Sequence, residues 1–186
     1  MFWGRRLRNP KDVFHRKQRL SEILEAHERF TRGRADGVCA DLSGADLTRV
    51  DFRGRNLCQA LLRDCRLDNG DFREAKLGNC DFSGSTMRHC TIVNADLTEA
   101  VLQNCDLSGA AITGTECFRA DFRGAILRNC ALRGSNLRAV LLQGCVLTGA
   151  DLSSASLRET DLTGVSLAGA KTEHALIRDV TSTSAQ

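Results

Sequence analysis

From Ala40 to Asp179 the chain repeats a five-residue pattern: a small residue, a polar one, a large apolar one and two variable ones, with no slip in register. The segments ADLSG, ADLTR, VDFRG, RNLCQ and ALLRD open the series. Its central residues run from Leu42, Leu47, Phe52 and Leu57 to Ile177. Of these 28 positions 25 hold Leu, Phe or Ile, the exceptions being Met87, Cys117 and Thr172. Two residues earlier the side chain is small, Ala at thirteen places and Cys at six, and Arg55 is the one charged residue there. These two positions are expected to point inward. A period of five fits neither a helix, at about 3.6, nor a strand, at about 2, so the repeat demands a coil. If each pentapeptide forms one side of a square, four of them return the chain above its start. Twenty residues then make one coil, and 28 pentapeptides make seven. With coils stacked ~4.8 Å apart, the solenoid is roughly 30 Å long.

The pattern A(D/N)LXX resembles the pentapeptide-repeat family over about three quarters of the chain. The resemblance implies an all-β fold, a right-handed quadrilateral parallel β-helix. It also implies that the aspartate before each central residue, as in Asp41, Asp46 and Asp51, is outward and helps hold the turn rather than forming a catalytic pair. Each coil buries its apolar columns only against its neighbours, so the two ends need protection.

Residues 1–39 form a basic leader, with a helix expected from about Asp12 to Arg32, Asp12 as N-cap after Pro10 and Gly33 as the stop. Val13, Leu20, Ile23, Leu24, His27 and Phe30 recur at helical spacing and are expected to cover the open first coil. The stretch LSEILEAHERF resembles leaders ahead of other bacterial pentapeptide-repeat solenoids. Arg55 either turns outward or pairs with Glu22, Glu25 or Glu28 of that helix. At the other end, residues 180–186 form a short polar tail. Gyrase-protecting members of the family dimerise through a C-terminal extension, and a tail of this length does not supply one, which counts against that dimer and that activity.

Composition narrows the picture. Aromatic content is 5% and Tyr is absent, so the core is built from small and aliphatic side chains. A single Pro, at position 10, leaves the rest of the backbone free to donate. No window is apolar enough for a membrane span and MFWGRRLRNP lacks a signal-peptide core, so the expected location is cytoplasmic. The net charge of +3 divides unevenly: the leader holds ten Lys/Arg against five Asp/Glu, and residues 40–186 hold sixteen against eighteen.

No chemistry assembles from these residues. Nine cysteines include no CxxC pair, and Cys65, Cys105 and Cys145 lie two coils apart, beyond disulfide reach. They read as reduced thiols replacing alanine. His15, His27, His89 and His174 are scattered. The expectation is a non-enzyme with no cofactor and no metal.

Function must then lie on the outer faces. Folding the sequence modulo twenty gives the first face a column of Asp41, Leu61, Asp81, Val101, Asp121, Leu141 and Asp161. On the second face Ile126 lies directly below Val146, beside Leu141. Leu61, Val101, Ile126, Leu141 and Val146 are therefore the candidate contact residues for a protein partner. A belt of Arg119, Arg123, Arg128, Arg133 and Arg138, continued by Arg158 and Arg178, offers an alternative anion site, partly neutralised by Glu116, Asp121, Glu159 and Asp179. Phe2 and Trp3 beside Arg5, Arg6 and Arg8 would suit a weak interfacial anchor. The favoured function is a protein-interaction scaffold. Its alternatives are a DNA mimic acting on a type II topoisomerase and a weak anion-binding module. The expected partner is a protein, with nucleic acid on the leader and a second copy of the chain as lesser alternatives.

Overall fold

The computed structural model describes residues 6–178; Phe2, Trp3, Arg5, Asp179 and the tail 180–186 lie outside the described residues. The leader begins with a 3-10 turn, Pro10–Asp12, capped by the Asn9 side chain, which accepts from the Lys11 amide at 2.9 Å. A two-stranded hairpin follows, β1 at Phe14–His15 and β2 at Gln18–Arg19, and then α1 at Leu20–Thr31. The helix therefore starts eight residues later than the expected Asp12, which instead ends the 3-10 turn. The reason is Arg16 and Lys17: both take positive φ, 46° and 69°, and make the two-residue turn that reverses the chain before a helix can start. The far end of α1 is a Schellman motif. Gly33, at φ 68°, donates to Phe30 at 2.9 Å, and Arg34 donates to Arg29 at 3.0 Å.

Beyond residue 40 the residue before a centre bridges in parallel to the residue twenty positions on, from Asp41 with Leu61 to Ser156 with Leu176, except that Val146 and Ser166 are not bridged to each other. The coil is twenty residues and four-sided. On each side the central residue donates up to the next coil, as Leu42 does to Leu61 at 2.8 Å, and the residue before the centre donates down, as Leu61 does to Ala40 at 2.9 Å. Both inward columns are buried, from Ala40 and Leu42 to Ala155 and Leu157, and Met87 and Cys117 fit without exposure. Arg55 is the exception and turns outward. It lies exposed, with no ion pair to Glu22, Glu25 or Glu28.

Each corner is a turn whose third residue has positive φ. At Gly124, φ 70°, the reason for glycine is also steric, since a Cβ there would meet Asn104 Oδ1 at 2.4 Å. The aspartates act as the resemblance implied: Asp41, Asp51, Asp81, Asp121 and Asp151 each accept from the amide two residues on, at 3.0–3.1 Å.

Small polar residues in the inward column follow a second rule. Cys65, Cys90, Cys105 and Cys130 donate to a carbonyl in the coil below, at 2.8–3.0 Å, and the turn beneath keeps its own bond, as between Ala45 and Leu42 at 3.0 Å. Four turns among the described residues lack that bond, those centred on Leu62, Ile92, Ile112 and Leu137. Each lies under a hydroxyl: Ser85, Thr115, Ser135 and Thr160. The Ser85 hydroxyl donates to Leu62 O at 2.6 Å and accepts from Cys65 N at 2.8 Å, so it stands in for the turn bond. A thiol is a weak acceptor and cannot take both roles.

The ends differ. Val13, Leu20 and Leu24 join the solenoid core, and Arg8 pairs with Val50 along the first coil. His27 is fully buried, and its Nδ1 accepts from Ala40 N at 3.0 Å, replacing the carbonyl that a preceding turn would provide. In the last coil Leu162, Val165, Leu167 and Ala170 are only partly buried, and Leu176 and Ile177 are exposed. Among the described residues no helix is long and apolar enough to cross a membrane.

Candidate functional site

The first face carries its aspartates and aliphatics at alternate coils, as bridge partners: Leu61 between Asp41 and Asp81, Val101 between Asp81 and Asp121, Leu141 between Asp121 and Asp161. A polar residue two positions after each aliphatic reaches up to the next acid. Arg63 holds Asp81, Gln103 donates to Asp121 at 2.6 Å, and Gln143 donates to Asp161 at 3.2 Å. These tethers fence the aliphatics apart. Leu61 and Val101 are half-buried and joined neither to each other nor to the rest of the predicted set. Ile126 and Val146 are direct bridge partners, and Leu141 occupies the adjoining side in the coil of Val146. Ile126 is 36% exposed and Leu141 37%, the most exposed aliphatics between the first and last coils.

The arginine belt is largely neutralised within the molecule. Arg123 forms a two-pronged pair with Asp121 at 2.6 and 2.9 Å, Arg133 lies 3.1 Å from Asp151, and Arg138 lies 2.8 Å from Glu159. Arg119 reaches Glu99 at 3.8 Å. Arg128 alone of the five makes no ion pair among the described residues. Arg119 and Arg138 also stand over the Phe118 ring, 4.9 and 5.5 Å from its centre.

A second arginine cluster, which the modulo-twenty reading passed over, lies on the third face of the first two coils. Arg53 pairs with Asp51 at 2.6 and 2.9 Å, and twenty residues on Arg73 pairs with Asp71 at 2.6 and 3.0 Å. The signal was in the sequence, since DFR recurs at both places in the same register. On the first face, the Ser43 hydroxyl and amide, with the Arg16 guanidinium at 3.0 Å, hold the Asp41 carboxyl down to about 2.

The thiols are chemically quiet. Burial pushes Cys65 up to about 11 and Cys90, Cys105, Cys130 and Cys145 up to about 12. Among the described residues no three His, Cys, Asp or Glu side chains are grouped to hold a metal ion.

The family model of pentapeptide repeats matches eight copies in overlapping segments spanning residues 34–171. A search of curated proteins found no match. Among solved structures the chain is similar to HetL, a pentapeptide repeat protein involved in heterocyst differentiation regulation in Nostoc sp. strain PCC 7120. The identity is 28% over 77% of this chain, with a TM-score of 0.41, and the chain spans 66% of HetL. It is also similar to alr5209 from Nostoc PCC 7120, at 25% identity over 80% of this chain and 93% of that one, TM-score 0.40. QnrB1, a plasmid-mediated fluoroquinolone resistance protein, is 18% identical over 78% of this chain and 91% of that one, TM-score 0.48. Repeat, register and family match agree: the chain belongs to the pentapeptide-repeat family and folds as its right-handed quadrilateral β-helix.

Proposed function

We propose that this chain is a non-catalytic cytoplasmic scaffold that docks a protein partner on the corner between its first and second faces, at Leu141, Ile126 and Val146. The observation that carries the reading is the Ile126–Val146 bridge with Leu141 on the adjoining side: Ile126 and Leu141 are exposed and Val146 is half-buried, in the fifth and sixth of the seven coils. Its neighbours Gln143 and Arg123 are tied to acids, so the patch has an ordered polar rim. Burial of seven of the nine cysteines, with thiols donating to backbone carbonyls, supports a reducing location and argues against thiol chemistry.

DNA mimicry toward a topoisomerase needs a row of unpaired acids. Here Asp51, Asp71, Asp81, Asp121 and Asp151 are each paired with an arginine, which does not favour it.

The test is affinity capture from native cytosol with the intact protein and with a Leu141→Glu, Ile126→Glu double variant whose circular dichroism matches it. A partner held by the first and lost by the second is the expected result. Equal capture by both would overturn the assignment of this corner.

A further inference from the structure

The leader and the third face of the first two coils enclose a groove. Two hollows of about 570 and 680 Å³ share Asn9, Asp51 and Arg53 in their walls and so run together. Six cations line them: Arg6, Arg8, Lys11, Arg53, Arg55 and Arg73. The acids in the walls are Asp12, Asp51 and Glu74. Ion pairs reduce this excess without removing it: Arg8 lies 3.8 Å from Asp46, which stands outside the walls. Asp51 is taken by Arg53, and the buried Asp71 by Arg73, which fixes two planar guanidinium groups in place. Arg6, Lys11 and Arg55 make no ion pair among the described residues.

Arg55 is the independent pointer. At this position the repeat places a small buried residue, and the chain instead carries a guanidinium that turns outward into the groove wall without a carboxylate partner. A residue that breaks the local rule and forms no ion pair among the described residues points to a site.

We propose that this groove binds the phosphate oxygens of a small polyphosphate. Arg53 and Arg73, whose Nε–Nη2 edges are held by Asp51 and Asp71, keep the Nη1 side of a fixed guanidinium to donate, while Arg55 and Lys11 supply the unneutralised charge. No wall residue is aromatic, so a base would find only guanidinium planes to stack on, and the groove is proposed to read the phosphate chain rather than a nucleoside.

The test is calorimetric titration of the full chain with sodium tripolyphosphate and, separately, with ATP. Both are expected to bind, with similar affinity. A clear preference for ATP would overturn the claim that the groove ignores the base. Arg55→Ala restores the commonest residue of the repeat, so its melting temperature is expected to be no lower than that of the parent. Its binding is expected to weaken by about tenfold, the loss of one charge-assisted contact. Lys11→Gln, in the leader, is the second variant and is expected to weaken binding in the same direction. Arg158→Ala, in the sixth coil and without an ion pair among the described residues, is the control and is expected to leave binding unchanged. No heat with either ligand up to about 1 mM, full binding in Arg55→Ala, or an equal loss in Arg158→Ala would each overturn the proposal.

Discussion

Ser85→Ala removes a hydroxyl that is 1% exposed and bridges two backbone groups, Leu62 O at 2.6 Å and Cys65 N at 2.8 Å. Each such bond contributes about 1 kcal/mol net, and an orphaned buried group costs about 1–3 kcal/mol. Recovery of the turn's own bond would offset part of that, so the expected loss is about 2 kcal/mol. Cys90→Ala is the matched comparison. It deletes the thiol bond to Leu67 O, but the turn below keeps its Gly70–Leu67 bond at 3.0 Å. Its expected cost is under about 1 kcal/mol, since a thiol is a weak donor. Denaturant unfolding gives the difference. Amide exchange at Cys65 gives the cause, because a solenoid opens locally and a midpoint averages over its coils. Ser85→Ala is expected to speed exchange at the Cys65 amide, and Cys90→Ala to leave it unchanged. If the two variants match in stability and the Cys65 amide stays protected, the turn closes unaided and the reasoning from the hydroxyl fails.

Two further predictions concern titration and reactivity. The His27 Nδ1 accepts from Ala40 N, so its proton sits on Nε2, and burial lowers the pKa below the ordinary 6.5. A depressed histidine is neutral in the fold and protonates more readily when unfolded. Its contribution is therefore fully present above pH 6.5 and declines as pH falls below that value toward the folded pKa. Protease cleavage of the leader is expected to quicken over that window, and a His27→Gln variant that keeps the same pH dependence would count against the assignment. Cys39 and Cys58 are half-exposed while the other seven cysteines are buried. Alkylation at neutral pH, read by peptide mass spectrometry, is expected to mark those two and spare the rest until denaturant is added. Rapid labelling of Cys105 or Cys130 in the folded protein would contradict the packing described.

The solenoid was legible because its signal is repeated 28 times: each Leu or Phe restates the register, and no single exception such as Cys117 can shift it. The leader was less legible because its decisive residues are Arg16 and Lys17, whose positive φ values carry no propensity signature of the Asn-Gly kind. Of the stripe from Val13 to Phe30, Val13, Leu20, Leu24 and His27 are buried and Ile23 packs against the core, whereas Phe30 is half-buried outside it, and Val13 reaches the core from the link between the 3-10 turn and the hairpin rather than from a helix. On the outer faces, modulo-twenty counting located the Ile126–Val146 contact, since bridge partners are fixed by the repeat. It could not distinguish a free arginine from a neutralised one. Arg123 and Arg138 belonged to a conspicuous belt yet are held by Asp121 and Glu159, whereas Arg55, noticed only as an irregularity, makes no ion pair among the described residues. Regularity explains the repeat so completely that function has to be sought where a residue departs from it. The two departures that the fold leaves uncompensated are the aliphatics Leu141, Ile126 and Val146 in place of turn-holding acids, and Arg55 in place of a buried alanine.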